Sequence, residues 1–170
     1  MKKSAYIINL RDQQTALQAY DWVVGDDFFA AIEDAQIQYG TVAVALEVER
    51  LASASYDLHF SLKGQVTVDC DRCMEPMSQK IEGNATVRVR LGQEDADDGD
   101  VITIPEERGT IDLQWPVYEQ IALQVPIRHV HPDGECTGET DKALKEFAAQ
   151  AEEKSPDPRW DALKGVLDKQ

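Results

Sequence analysis

The sequence predicts an α+β domain: an antiparallel β-meander over roughly residues 40–112, packed by a helix that starts at Asp112, with a helical C-terminal tail. Three observations carry that expectation. Between Thr41 and Leu91 apolar residues fall largely on alternate positions, the two-residue repeat of strands with one buried face. From Leu113 the repeat lengthens to four, through Val117, Ile121 and Val125, which lays one apolar stripe along a helix. Beyond Pro126 the apolar pattern thins into a Pro- and Gly-bearing loop, followed by polar, helix-favouring residues.

In chain order, SAYIINL (residues 4–10) is rich in β-favouring side chains and reads as a first strand. RDQQTALQAYDW stays open between a helix and a continuing sheet. GDDFFAAIEDAQ reads as a short helix capped by Asp26 or Asp27, with Phe28, Phe29 and Ile32 on one side and Gly40 as its stop. TVAVALEVERLA then alternates through Val42, Val44, Leu46 and Val48, and SYDLHFSL repeats the pattern with Tyr56, Leu58, Phe60 and Leu62. Gly64 is expected to turn the chain into QVTVDC. SQKIEGNATVRVRL leaves the next corner as a strand with Val87, Val89 and Leu91 alternating against Arg88 and Arg90.

QEDADDGD packs five acids into eight residues and is expected to remain a solvated loop. It is not a calcium loop: Asp95 and Asp97 suit the first two ligand positions, but Gly99 falls where the third ligand belongs. VITIPEERGTI supplies two short β pieces around a turn. Asp112 is placed to cap the helix IDLQWPVYEQIALQV, whose first turn tolerates Pro116. DKALKEFAAQAEEK reads as a polar helix, and SPDPRWDALKGVL as a short last one capped by Asp157. The organisation expected is a main domain over 40–136, an N-terminal strand and short helix over 1–39 packed on it, and a helical tail over 137–170.

A chain of 170 residues can bury a full core without staples. Its 42% hydrophobic and 29% charged content is that of a globular protein. The charge is lopsided, with 17 Lys and Arg against 32 Asp and Glu, a formal net of −15. Such a surface repels phosphate on average, which argues against broad capture of nucleic acid and favours a basic protein partner. No secretory signal and no membrane-spanning run is evident, so a cytoplasmic location and no membrane contact are expected.

The sharpest motif is VTVDCDRCMEPM (residues 66–77), where Cys70 and Cys73 flank Asp71 and Arg72 on one turn. Cys136 closes a second unusual stretch, RHVHPDGEC, behind His129 and His131. Two thiolates on a turn, a distant third and a histidine would complete a closed tetrahedral zinc site. Against it, a zinc knuckle usually has glycine after its second cysteine, and here Met74, Glu75 and Pro76 follow. Two other readings stay open: reduced thiols filling a sheet corner, or a redox pair, for which no helix N-terminus lowers the thiol pKa.

CDRCMEPM after a strand, the helix IDLQWPVYEQIAL, the loop VPIRHVHPDGEC and the terminal DPRWDALKGVL together resemble the YceD family of large ribosomal RNA subunit accumulation proteins. The resemblance runs from about residue 40 to the end. It implies a non-enzymatic accessory factor for 23S rRNA accumulation and large-subunit biogenesis; together with the acidic charge, the expected partner is a basic ribosomal or assembly protein, with limited rRNA contact. Family members tend to carry a second cluster of cysteines after the packing helix; this chain has only Cys136 there. That leaves a set of Cys70, Cys73, Cys136 and His131, with His129 as the alternative histidine. Rival classes are a zinc-stabilised protein-binding module with no ribosomal role, and a thiol redox protein using Cys70 and Cys73.

For partner contact the candidates are Arg72, Arg88 and Arg90, with Lys63 and Lys80 nearby, as a basic strip, weighed against charges that only solvate an open sheet face. Arg159 and Trp160 in DPRW form a second candidate. Trp115 and Trp160 are both expected mainly as core anchors, and His59 as a partly exposed sheet residue. No nucleophile with an orienting base and third group can be placed beside the histidines, and no catalytic residue is assigned.

Overall fold

A computed structural model describes residues 6–11, 16–33, 36, 37, 39–52, 54–97, 101–132, 134–136 and 138–152. Its backbone is a sheet in the order β2-β3-β4-β5-β7-β6, formed by β2 (Leu17–Val24), β3 (Tyr39–Ala52), β4 (Ser55–Asp69), β5 (Pro76–Gly92), β6 (Ala96–Asp97) and β7 (Val101–Pro105). A two-stranded ribbon pairs β1 (Ile7–Asn9) with β8 (Thr110–Asp112). The helices are α1 (Asp26–Ala30), α2 (Gln114–Ala122) and α3 (Gly138–Glu152). The expected α+β class is what forms.

One face of the sheet is the core. Val42, Val44, Leu46 and Val48 of β3 and Tyr56, Leu58, Phe60 and Leu62 of β4 are all at most 1% exposed. The α2 stripe closes over them, with Leu113, Val117 and Ile121 fully buried. α2 is shorter at both ends than expected: Asp112 ends β8, Leu113 takes the N-cap position, and the helix stops at Ala122, while the Asp112 carboxylate, one place before the cap, still accepts the Gln114 N–H at 2.9 Å. The opposite face is largely polar, as alternation requires of a sheet covered on one side, with exposed Leu17 and Val23 on the edge strand β2 as exceptions.

Several expectations are corrected. The sheet begins at β2, not at residue 40, because LQAYDWVV turns out to be its edge strand. The sheet is not wholly antiparallel, since β7 runs parallel to β5. Gly64 makes no turn; it sits inside β4 opposite Val42. A Cβ there would lie 2.2 Å from the Thr41 carbonyl oxygen, so the glycine lets two strands approach closely and β4 runs on through Val66 and Val68. The first helix ends at Ala30, its N-cap is Gly25, and Asp26 and Asp27 lie in its first turn, where they complement the helix dipole. Gly40 is part of β3, and its N–H donates to Asp26 at 2.9 Å. In the acidic run, Ala96 and Asp97 pair with β7 as an edge strand. Trp115 is no core anchor: it is 58% exposed, because the stripe through Leu113 and Val117 faces the sheet and position 115 does not. Arg159, Trp160 and the whole DPRW motif lie outside the described residues.

No helix among the described residues is long and apolar enough to cross a membrane.

Candidate metal centre

β4 and β5 run antiparallel from Ser55 opposite Arg90 to Asp69 opposite Pro76, so the six residues between them must reverse the chain. Cys70 and Cys73 lie in that reversal. The Met74 N–H donates to the Cys70 carbonyl and the Cys70 N–H to the Glu75 carbonyl, both at 2.9 Å, closing a tight loop. Met74 takes a φ of +60°, the left-handed conformation that glycine adopts without strain. Methionine thus occupies the conformation that glycine usually takes after the second cysteine, and the turn's Arg72 N–H still points at the Cys70 sulfur, 3.4 Å away.

The second stretch comes from the loop after α2. The Glu135 N–H donates to the Pro132 carbonyl at 3.1 Å, and Gly134 has a φ of +90°, which together bring Cys136 back toward His131. The two stretches meet through Asp71 and His129. The Asp71 N–H donates to the His129 carbonyl at 2.9 Å, and the His129 N–H donates to the Asp71 carboxylate at 2.7 Å. The His129 ring is engaged there too, with Nε2 3.6 Å from Asp71 Oδ1 and Nδ1 3.0 Å from the Pro126 carbonyl. This reciprocal pair went unnoticed in the sequence, where its only signal is an acid inside the Cys-x-x-Cys turn.

His131 is therefore the histidine that faces the sulfurs. Its Nδ1 lies 3.4 Å from Cys73 Sγ and 3.9 Å from Cys136 Sγ, while Cys70 Sγ and Cys136 Sγ are 3.9 Å apart. Ligand atoms of Cys70, Cys73, His131 and Cys136 all lie within 4.8 Å of one another, and together they are placed to hold a metal ion. Around a tetrahedral zinc with bonds of about 2.3 Å to sulfur and 2.0–2.1 Å to nitrogen, neighbouring sulfurs stand ~3.8 Å apart and sulfur to nitrogen ~3.6 Å. The Cys70–Cys136 separation is near the first value, and the two His131 separations bracket the second. All three cysteines are free thiols, with no disulfide among them.

The electrostatics suit a cation. Burial alone would raise the Cys70 pKa, yet N–H groups of His131, Arg72 and Cys73 and the Cys73 side chain outweigh it and bring the thiol down to about 6. The Arg72 and His131 N–H groups each stand 3.4 Å from that sulfur. Cys136 is pushed up to about 11, first by burial and then by the two neighbouring thiols. Sulfurs this close resist ionising together unless a positive charge sits among them.

The basic candidates are placed differently. Arg88, on the open face, gives two hydrogen bonds to Asp57, at 2.7 and 2.9 Å. Lys80 pairs with Glu82, and Lys63 lies opposite Glu82 across β4 and β5. Arg90 stands opposite Ser55, while half-buried Arg72 belongs to the cysteine turn. The open face thus interleaves both signs. His59 is half-exposed there, between Thr86 and Glu49.

A family model described as large ribosomal RNA subunit accumulation protein YceD matches residues 58–167. No curated protein and no solved structure matches the chain.

Proposed function

Given that this chain belongs to the YceD family, which is tied by description to accumulation of large-subunit ribosomal RNA, we propose that it is a non-enzymatic cytoplasmic accessory factor in large-subunit biogenesis. The family match is the observation that carries this reading. A formal charge of −15 supports action mainly through a basic ribosomal or assembly protein, with rRNA contact limited. Arg72, Arg88, Arg90, Arg159 and Trp160 remain candidates for those contacts.

In the same reading Cys70, Cys73, His131 and Cys136 hold zinc as a structural clamp. Separations near those of a tetrahedral thiolate–imidazole site support this choice of metal. Four protein ligands leave no open coordination position for water or substrate, which fits a clamp better than a hydrolytic centre. A Cys70/Cys73 redox cycle is disfavoured because Cys70, although its backbone donors favour the thiolate, is fully buried and out of reach of a substrate disulfide.

The test is capture of the tagged protein from cells with and without RNase, beside 23S rRNA levels in a deletion strain. Expected are enrichment of large-subunit or assembly proteins that survives RNase, and reduced 23S rRNA on deletion. Normal 23S rRNA and normal subunit profiles in the deletion strain would refute the reading.

A further inference from the structure

Beside the metal centre lies a cavity of about 400 Å³ between the cysteine turn and the end of α2, within the size range of ligand-binding clefts. Its floor is apolar, made by Ile37, Val68, Ala122 and Val125. Met74 stands on one wall, 72% exposed, and the carboxylates of Asp69 and Asp71 line the same side. The segment that supplies Ala122 and Val125 also leaves Leu123 and Ile127 exposed, at 68% and 104%.

Met74 is an unusual residue for its place in the turn. The turn needs a left-handed residue at this position, and the hydrogen bonds that build it use only backbone. Glycine would meet that need without strain. The methionine side chain is mostly outside the fold, so packing within the chain does little to offset its strained φ. Strain held at an exposed apolar residue is a reason to look for a use outside the fold. Methionine suits such a use because its flexible, polarisable chain adapts to varied apolar partners.

We propose that this groove docks an extended segment of a basic protein, with an apolar side chain on the floor and flanking lysines or arginines against Asp69 and Asp71. The charge argues for protein over nucleic acid: two carboxylates line the groove and its only cationic candidate, His129, is engaged with Asp71, so phosphate is repelled. The inference deepens the ribosome-assembly reading by naming the surface for its basic partner, and it rests on that reading only for the partner's origin.

The chain has three methionines, so a ¹³C-methyl-methionine spectrum of the full protein gives Met74 its own reporter. The probe is a synthetic peptide of about twelve residues with leucines between lysines, a length suited to a groove-bound strand. Expected is a saturable shift of the Met74 methyl. Met74→Gly, which suits the backbone and keeps the fold, and Asp69→Asn are each expected to weaken binding of the labelled peptide roughly tenfold by anisotropy. Controls with Glu for Lys or Ser for Leu should not bind.

No Met74 shift at millimolar peptide, or unchanged affinity in both variants, overturns the docking inference. So does a single-stranded RNA that moves the Met74 methyl instead. If Trp160→Ala moves that methyl without peptide, the chain's own C-terminal segment fills the groove and the inference of a separate partner fails. Peptide binding with normal 23S rRNA in the deletion strain would leave the groove standing and sink the assembly reading. A deletion that lowers 23S rRNA, with no peptide shift, would do the reverse.

Discussion

Removing the metal should loosen one loop and leave the sheet intact. The core over β3, β4 and α2 is closed by residues such as Leu46, Leu58, Phe60, Leu62, Leu113 and Ile121, all at most 1% exposed, and none of them belongs to the loop that follows α2. That loop is tied to the cysteine turn by the four ligands and by three bonds that need no metal: Asp71 N–H to His129, His129 N–H to Asp71, and His131 N–H to Cys70 sulfur. With free zinc held about 100-fold above its dissociation constant, the metal adds ~2.7 kcal/mol to folding stability. For a chain of this size each kcal/mol moves Tm by about 2–4 °C, so chelation should lower Tm by roughly 5–11 °C. Cys70→Ser should lower it at least as far and abolish stoichiometric zinc in native mass spectra of the reduced protein. Hydrogen exchange should quicken across residues 126–136 while β3 and β4 stay protected. Reduced wild-type protein that carries no metal, or a Tm indifferent to chelator, would refute the site. Loss of the β-sheet signal on chelation would refute the independence of the core.

Two further outcomes test the rest of the fold. Gly64→Ala places a Cβ 2.2 Å from the Thr41 carbonyl oxygen and 2.6 Å from Val42 Cα, both backbone atoms that cannot turn aside. It should cost about 1–3 kcal/mol, lowering the denaturant midpoint without changing the slope, and a midpoint equal to wild type would show that the strands separate freely there. Asp57, 7% exposed, has its carboxyl pKa lowered chiefly by its hydrogen bonds to Arg88. The stability this adds is present above the ordinary carboxylate pKa of ~3.9 and lost as pH falls through the lower folded value. Because the Arg88 side chain is 54% exposed and screened, Asp57→Asn should cost only about 1 kcal/mol at pH 7. The gap to wild type should close in acid, and one of equal size at both pH values would assign the loss to something other than the ion pair.

What the sequence made legible follows from how local each cause is. Alternation through Val42 to Leu62 and the four-residue stripe from Leu113 are properties of single segments, and both locate core residues, although the last member of the stripe, Val125, lies past the end of α2 and is only partly buried. β2 resisted reading because an edge strand can expose apolar side chains on its outer face: Leu17 and Val23 are 53% and 71% exposed, which blurs the repeat carried by Tyr20, Trp22 and Val24. Gly64 was misread because its reason lies on another strand, in the closeness of Thr41 and Val42. The Cys-x-x-Cys turn announces itself by spacing. The choice between His129 and His131 does not, since it is made by Asp71, which engages His129 and leaves His131 facing the sulfurs.

The metal centre and the groove are geometrically one device. Asp69, Asp71 and Met74 stand on the cysteine-turn side of the groove, whereas Ala122, Val125 and His129 come from the end of α2 and the loop beyond it. Within the described residues, the links between these two sides next to the groove are the Asp71–His129 pair and the cluster of Cys70, Cys73, His131 and Cys136. Any ion held by that cluster therefore sets the width of the groove without touching whatever lies in it. A clamp of this kind would act through position alone. It also explains how a left-handed methionine can be tolerated at the knuckle: the turn's geometry is imposed by the sulfurs and their backbone donors, and the side chain is free to serve the groove.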